Sequence, residues 1–151
     1  MPTVVTARNS GSFHTEVEAR THKFVMDEPS NDGGGDLGPT PYELMAAALA
    51  GCTAMTLHFY AKREGLPLER SDVSVTHDRQ HAKDCADCLS TAGYVHRFRV
   101  DIKMHGPLTR EQKQHLLTIA ARCPVAKTLA SEIKVDEFLV DDDAVETTPP
   151  G

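Results

Sequence analysis

The sequence predicts an α+β fold, because its expected strands and helices come in groups and not in strict alternation. Short segments with alternating apolar and polar residues open the chain, and a charge-free segment with helical start and stop signals follows at 44–61. Further alternating segments and two more helical segments complete the chain. We expect one domain at 1–140, followed by an acidic, flexible tail at 141–151.

The first forty residues predict an antiparallel meander and a loop. Residues 4–7, 13–19 and 22–26 read as short strands, the second with clear alternation of apolar and polar side chains. Residues 27–39 contain four glycines, two prolines and no periodicity. They therefore predict a loop that leads into the central helix.

The central helix is predicted over 41–64. Thr40 can act as its N-cap, and Pro41 occupies the first helical position, where a missing N–H does no harm. Glu43 stands three residues after Thr40 and predicts a capping box, and Gly65 ends the helix. Because the helix is apolar on nearly every side, we expect it to be buried all round.

The second half of the chain predicts two strands, two helices and a final strand. The strands lie at 72–77 and 97–104, the latter with the clearest alternation in the chain. Thr109 with Gln112 predicts a second capping box, for a helix that ends before Pro124. The closing elements are a short helix at 125–131 and a last strand at 133–140.

The charge distribution limits the partners of this protein. The net charge is −6, and residues 136–146 hold six acidic and no basic residues, which leaves 16 of each sign elsewhere. This balance argues against nucleic-acid or anionic-membrane partners. The N-terminus has no signal-peptide pattern, and the apolar helix barely reaches the length of a membrane span, so we expect a cytoplasmic protein.

Two cysteines are the candidate reactive groups. Cys52 lies inside the central helix among apolar neighbours, where burial raises the pKa of a thiol, so its activation requires a cation from elsewhere in the fold or from a second subunit. Cys123 directly precedes Pro124 and can cap the next helix, whose N–H groups favour a thiolate. The residues alone are also compatible with two small core side chains, since free cysteines are commonly buried.

Two groups of motifs resemble the OsmC/Ohr family of thiol peroxidases. The first group is GPTPYEL at 38–44 with AGCT at 50–53, and the second is RCPV at 122–125 with TL at 128–129. The resemblance extends over almost the whole chain. It implies an OsmC-like fold with antiparallel sheets around two central cysteine-bearing helices, in an intertwined homodimer with active sites at the subunit interface.

The resemblance also implies a function, the reduction of organic hydroperoxides in oxidative stress defence. Cys52 matches the peroxidatic position, whose thiolate attacks the O–O bond and becomes a sulfenic acid. Cys123 matches the resolving position, which condenses with that sulfenic acid to a disulfide. A dithiol reductant, of the lipoyl type or another, would then restore both thiols, and no cofactor is required.

Two residues of the resembling family hold the active thiolate, an Arg and a Glu. Arg8 is the nearest match to the Arg of the first hairpin turn, and Arg20 is a poorer one. The Glu position holds Tyr42 here, and Glu43 stands one residue later, about 100° further round the helix. The chain therefore resembles a less characterised OsmC-like branch more than the hydroperoxide-resistance type.

A second cysteine motif, His81-x3-Cys85-x2-Cys88, is not needed for a two-cysteine cycle. Its spacing is typical of zinc ligands, and His77 could be a fourth ligand. The pair could also be an accessory dithiol that relays electrons to Cys52, or simply two exposed thiols in a loop.

The leading alternative function is a non-enzymatic small-ligand or metal-binding stress protein on the same fold. A cation within reach of Cys52 favours the enzyme, whereas a wholly apolar surround favours the binding protein. A domain held together by disulfides is disfavoured, because the chain has no secretion signal.

Overall fold

The fold is an α+β arrangement with two antiparallel sheets, which confirms the predicted class. The computed structural model describes residues 2–140, so the predicted tail at 141–151 lies outside the described residues. A three-stranded sheet has the order β1-β2-β3, and a long hairpin joins β4 and β5. In chain order the elements are β1 (Val5–Asn9), β2 (Thr15–Ala19), β3 (His22–Met26), α1 (Pro41–Glu64), β4 (Arg70–His81), β5 (Tyr94–His105), α2 (Arg110–Ala120) and α3 (Pro124–Leu129).

The opening meander forms as expected, with one shift that concerns a candidate site residue. β1 continues to Asn9, and Arg8 pairs with Glu16 of β2 inside the sheet. Arg8 is therefore a strand residue and not part of the hairpin turn in which the sequence placed it. β3 has the predicted bounds and pairs with β2 throughout, from Ala19↔His22 onward.

The loop after β3 is organised by the carboxylate of Asp27, which is 2% exposed. It accepts hydrogen bonds from the backbone N–H groups of Glu28 at 2.8 Å, Gly35 at 3.2 Å and Leu37 at 3.3 Å. Burial raises the pKa of this carboxyl, but the three hydrogen bonds lower it, and the net shift is downward. The loop is thus an ordered entry to α1.

Helix α1 begins and ends at the predicted residues. A Cβ on Gly38 would lie 2.1 Å from the carbonyl oxygen of Val25, so only glycine allows the loop to pass β3 at this point. Thr40 accepts a hydrogen bond from the Glu43 N–H at 3.2 Å, and Gly65 ends the helix with φ 66°. The Glu43 carboxylate does not return a bond to Thr40, so the predicted capping box is only half formed among the described residues.

The hydrophobic core lies between α1 and α2. Leu57 and Ala61 of α1 pack against Leu116 and Ile119 of α2, and the three larger side chains are completely buried. The full capping box of Thr109 and Gln112 starts α2 as predicted. These contacts orient α1 through one side of its C-terminal half.

The hairpin of β4 and β5 is longer than the sequence suggested. Twelve residues of each strand pair, from Arg70↔His105 to His81↔Tyr94, whereas only the central parts show clear alternation. β4 packs along α1, and Val75 faces the alanines of that helix. The hairpin therefore projects beyond the first turn of α1.

The expectation that α1 is buried all round is wrong for the described chain. Ala48, Cys52, Met55 and Phe59 form an exposed stripe along α1; Met55 is 74% and Phe59 57% exposed, while Cys52 is half-buried. The core needs only one side of the helix, and among the described elements only the start of α3 reaches the stripe, at Cys52. By its length and apolar composition α1 could also cross a membrane, but core helices of soluble proteins have the same length and composition.

The predicted last strand at 133–140 does not form within the described residues. Ile133, Val135, Phe138 and Leu139 are each at least 56% exposed. A strand needs a neighbour for its backbone N–H and C=O groups, and this segment has none in the described part of the chain.

Candidate functional site

The candidate site lies where α1 meets the start of α3, and it brings Cys52 and Cys123 together. The two thiols lie close enough for each to shift the pKa of the other. Cys52 comes from the middle of α1, whereas Cys123 is the N-cap of α3, with Pro124 at the first helical position. The sequence predicted the place of each cysteine in its own helix, but the contact between the two depends on how α3 packs against α1.

Cys123 is completely buried, yet its surroundings favour the thiolate. Burial raises the pKa of this thiol, but hydrogen bonds lower it by more, so the net shift is downward. The groups that lower this pKa are the Cys52 thiol, the Thr53 hydroxyl and the backbone N–H groups of Val125 and Ala126. The helix start after Cys123 therefore acts as the sequence suggested.

Cys52 has the opposite tendency. Burial raises the pKa of its thiol, and the hydrogen bond to Cys123 raises it further. The Val125 N–H and the Thr56 hydroxyl lower this pKa, but the net shift is upward. Within one chain the two directions therefore favour the first negative charge on Cys123.

Neither thiol has a cation beside it in the part of the chain that the structure describes. No guanidinium or ammonium group is among the causes of either pKa shift. Arg122, the neighbour of Cys123 in sequence, instead lies over the Tyr60 ring, 5.4 Å from its centroid. A thiolate on Cys52 would thus need a charge from outside the described chain.

The other two predicted catalytic residues lie away from the cysteine pair. Arg8 is on the three-stranded sheet, 3.8 Å from Glu18 in an exposed ion pair. Glu43 lines the β4 side of α1 together with Val75. Nine residues separate Glu43 from Cys52, which at about 100° per residue places them on roughly opposite sides of the helix.

A cleft near the start of α1 was not predicted. It has a volume of about 330 Å³, and its lining residues are Pro41, Tyr42, Met45, His96, Phe98 and Leu129. Met45 lies two turns before Cys52 on the same side of α1, and Leu129 is the last residue of α3. The cleft therefore opens on the side of α1 that carries the cysteine.

One wall of this cleft is a cluster of rings that sequence reasoning missed. Tyr42 stacks on His77 at 4.6 Å, and His77 Nε2 lies 2.9 Å from His96 Nδ1. His77, the suggested fourth zinc ligand, is thus engaged with His96. The sequence alone does not show that these rings are neighbours. The pairing of His77 with Phe98 across the hairpin would indicate it, but this pairing is known only from the strand register.

The predicted metal ligands do not form one group. Cys85 and Cys88 are joined in a disulfide, and the His81 ring packs against Tyr94 at 4.5 Å. A disulfide offers no thiolate, so this oxidised pair does not fit zinc. The ligand atoms that come together are those of Cys85, Asp87 and Cys88, without His81, and a metal site there stays a prediction for the reduced protein.

Two neighbouring cysteines, one of them at a helix start, are typical of cysteine-based redox proteins. The family model for OsmC-like proteins matches residues 33–138, which include both cysteines. The chain therefore belongs to the OsmC-like protein family. A comparison with curated proteins finds no match.

The chain is similar to several solved structures. The organic hydroperoxide resistance protein OsmC of Legionella pneumophila is 23% identical with a TM-score of 0.59, over 85% of this chain and 89% of that one. OhrB of Bacillus subtilis, also an organic hydroperoxide resistance protein, is 24% identical with a TM-score of 0.60, over 85% and 90%. A Mycoplasma pneumoniae OsmC-like protein is 16% identical with a TM-score of 0.64, over 86% and 88%. At these identities the likeness establishes a common fold.

Proposed function

We propose that this protein reduces organic hydroperoxides through Cys52 and Cys123. The close approach of the two cysteines carries the proposal, because a two-cysteine cycle requires sulfurs that can meet, and each thiol here shifts the pKa of the other. Relatives of the same fold are named organic hydroperoxide resistance proteins, which supports the choice of substrate class.

Cys52 is the attacking sulfur in this proposal, although Cys123 carries the charge. Cys123 is 0% exposed, whereas Cys52 is half-buried and belongs to the exposed stripe, so a peroxide can approach only Cys52. The Cys123 thiolate takes the proton of Cys52. Cys52 then attacks the peroxide, the O–O bond breaks, and the leaving alkoxide takes that proton from Cys123 to become an alcohol.

The second half of the cycle returns both sulfurs to the thiol state. The Cys52 sulfenic acid reacts with the Cys123 sulfur, a disulfide forms, and the hydroxide leaves as water. A dithiol then reduces this disulfide in two exchange steps and is itself oxidised to a disulfide. The electrons that reduce the peroxide therefore come from the dithiol.

A second copy of the chain is part of this proposal, because the exposed stripe places Cys52 on an uncovered apolar surface. Apolar side chains of this size normally lie against a partner. The unpaired segment at 133–140 offers strand edges to the same partner. A homodimer would also supply the missing cation, for which Arg8 of the second copy is the candidate.

The cleft near the start of α1, which opens on the same side of the helix as Cys52, suits the organic part of the peroxide. Tyr42, Met45, Phe98 and Leu129 give it a largely apolar lining, and its volume of about 330 Å³ accommodates an aryl or short alkyl group. Bulky organic hydroperoxides should therefore react faster than hydrogen peroxide.

The test is a thiol assay with one equivalent of cumene hydroperoxide, followed by peptide mapping. Wild-type protein should form a Cys52–Cys123 disulfide. Cys52→Ser should lose the reaction, and Cys123→Ser should stop at a Cys52 sulfenic acid. The matched control Cys85→Ser/Cys88→Ser should still form the Cys52–Cys123 bond. Unchanged peroxide consumption by Cys52→Ser would overturn the proposal, and so would a wild-type protein that consumes no peroxide, a result that would favour a binding protein.

A further inference from the structure

We propose that the Cys85–Cys88 disulfide is a second redox centre, which exchanges an electron pair with dithiols independently of Cys52 and Cys123. It lies between β4 and β5, where Cys85 is 8% exposed and Cys88 is half-buried. A disulfide stabilises a fold mainly by closing a long loop, whereas this one closes a very short loop. It therefore contributes little to the stability of the fold. The proposal does not depend on the peroxidase function.

The charged groups around Cys85 suit the release of its sulfur. Arg97 Nη2 lies 3.6 Å from Cys85 Sγ and 3.0 Å from Asp87 Oδ1, and Asp87 Oδ1 lies 3.2 Å from the same sulfur. A guanidinium stabilises a neighbouring thiolate, and a carboxylate accepts the hydrogen bond of a thiol. Cys85 thus has one partner for each of its reduced forms.

The exchange follows from which sulfur is accessible. A dithiol, ionised at one sulfur, attacks Cys88, the more exposed of the two, and forms a mixed disulfide with it. The Cys85–Cys88 bond breaks, and Cys85 leaves as a thiolate beside Arg97. The second thiol of the donor attacks the mixed disulfide, releases Cys88 and closes the donor disulfide. Two electrons and two protons thereby pass from the dithiol to the protein.

The two cysteine pairs are too far apart within one chain to exchange directly. Tyr42 stacks on His77, and Val75 faces the alanines of α1, so α1 and β4 lead away from that stack in opposite directions. Cys52 lies ~15 Å along α1 from Tyr42 at 1.5 Å per residue. Cys85 Sγ lies 3.6 Å from Arg97 Nη2, and Arg97 pairs with Asp78, the residue after His77. Because Cys52 lies on the opposite side of the stack, direct relay to Cys52 of the same chain is unfavourable.

The experiment isolates this pair in the variant Cys52→Ser/Cys123→Ser. The variant is equilibrated with buffers of reduced and oxidised dithiothreitol, quenched by alkylation, and the Cys85 and Cys88 thiols are counted by mass. We expect both thiols to appear together in the folded protein, with a defined midpoint. Wild-type protein, mapped by peptide, should show the same midpoint for this pair, which guards against an effect of the two serines.

Arginine variants test the mechanism. Arg97→Gln should slow reduction about three- to tenfold, because the leaving thiolate loses its cation, and Arg97→Lys should restore much of the rate. Arg99→Gln is the matched control, since Arg99 pairs with Asp101 on the same strand. A disulfide that resists dithiothreitol until the protein unfolds would overturn the proposal. Equal rates for Arg97→Gln and Arg99→Gln, or stoichiometric zinc that keeps the thiols unreactive, would do so too.

Discussion

Replacing Met55 by alanine tests whether a second copy covers the exposed stripe of α1. Met55 is 74% exposed in the chain, so the change should hardly affect the folded subunit. The three heavy atoms removed beyond Cβ are each worth about 0.8 kcal/mol when buried, which scales to about 1.8 kcal/mol for the part that a partner could cover. A symmetric interface contains the change twice, so the dimer should weaken by about 3.6 kcal/mol, or roughly 400-fold.

Sedimentation equilibrium over a range of protein concentrations measures this effect. Leu117→Ala is the matched control, because Leu117 is a half-exposed apolar residue on α2, outside the stripe. We expect the control to dimerise like wild type. If Met55→Ala dimerises as tightly as wild type, or if the wild-type protein is a monomer, the stripe is not an interface and the site must be complete within one chain.

Three further outcomes concern stability and ionisation. Leu57→Ala, at a completely buried position, should lower the free energy of unfolding by about 3 kcal/mol in urea denaturation, and a loss below about 1 kcal/mol would contradict the described core. Burial raises the pKa of Asp27 and three backbone hydrogen bonds lower it, with a net downward shift. The ionised carboxylate therefore stabilises the fold fully above the unfolded pKa of 3.8, and this stabilisation is lost as the pH falls through the lower folded pKa. The urea midpoints of wild type and Asp27→Asn should therefore converge in acid, and a constant difference would refute this. Cys123→Ser should remove the thiolate absorbance that titrates below the usual pKa of 9.0, and Cys52→Ser should retain it; the reverse pattern would place the charge on Cys52.

Local signals predicted the elements of this fold well. Thr40, Pro41 and Gly65 bound α1 as expected, and Thr109 starts α2, because caps depend on side chains that lie next to the backbone groups they satisfy. Period-two alternation identified the strands but underestimated the lengths of β4 and β5. The outer parts of these strands extend beyond α1 and carry histidine, arginine and tyrosine, so they show no clear apolar alternation. The strand at 133–140 failed for a different reason, because a strand forms only where another edge is available.

The candidate site shows the same difference between features set by neighbouring residues and features set by tertiary packing. The amino-acid order alone identified Cys52 inside an apolar helix and Cys123 at a helix start, because both environments arise from residues within one or two turns. Contacts between distant segments decide the rest of the chemistry. They decide which cysteine carries the charge, where Arg8 and Glu43 lie, and which groups surround Cys85. Hydrogen bonds and ion pairs act over a few ångströms, so the packing of the elements sets them, and no pattern along the chain specifies it.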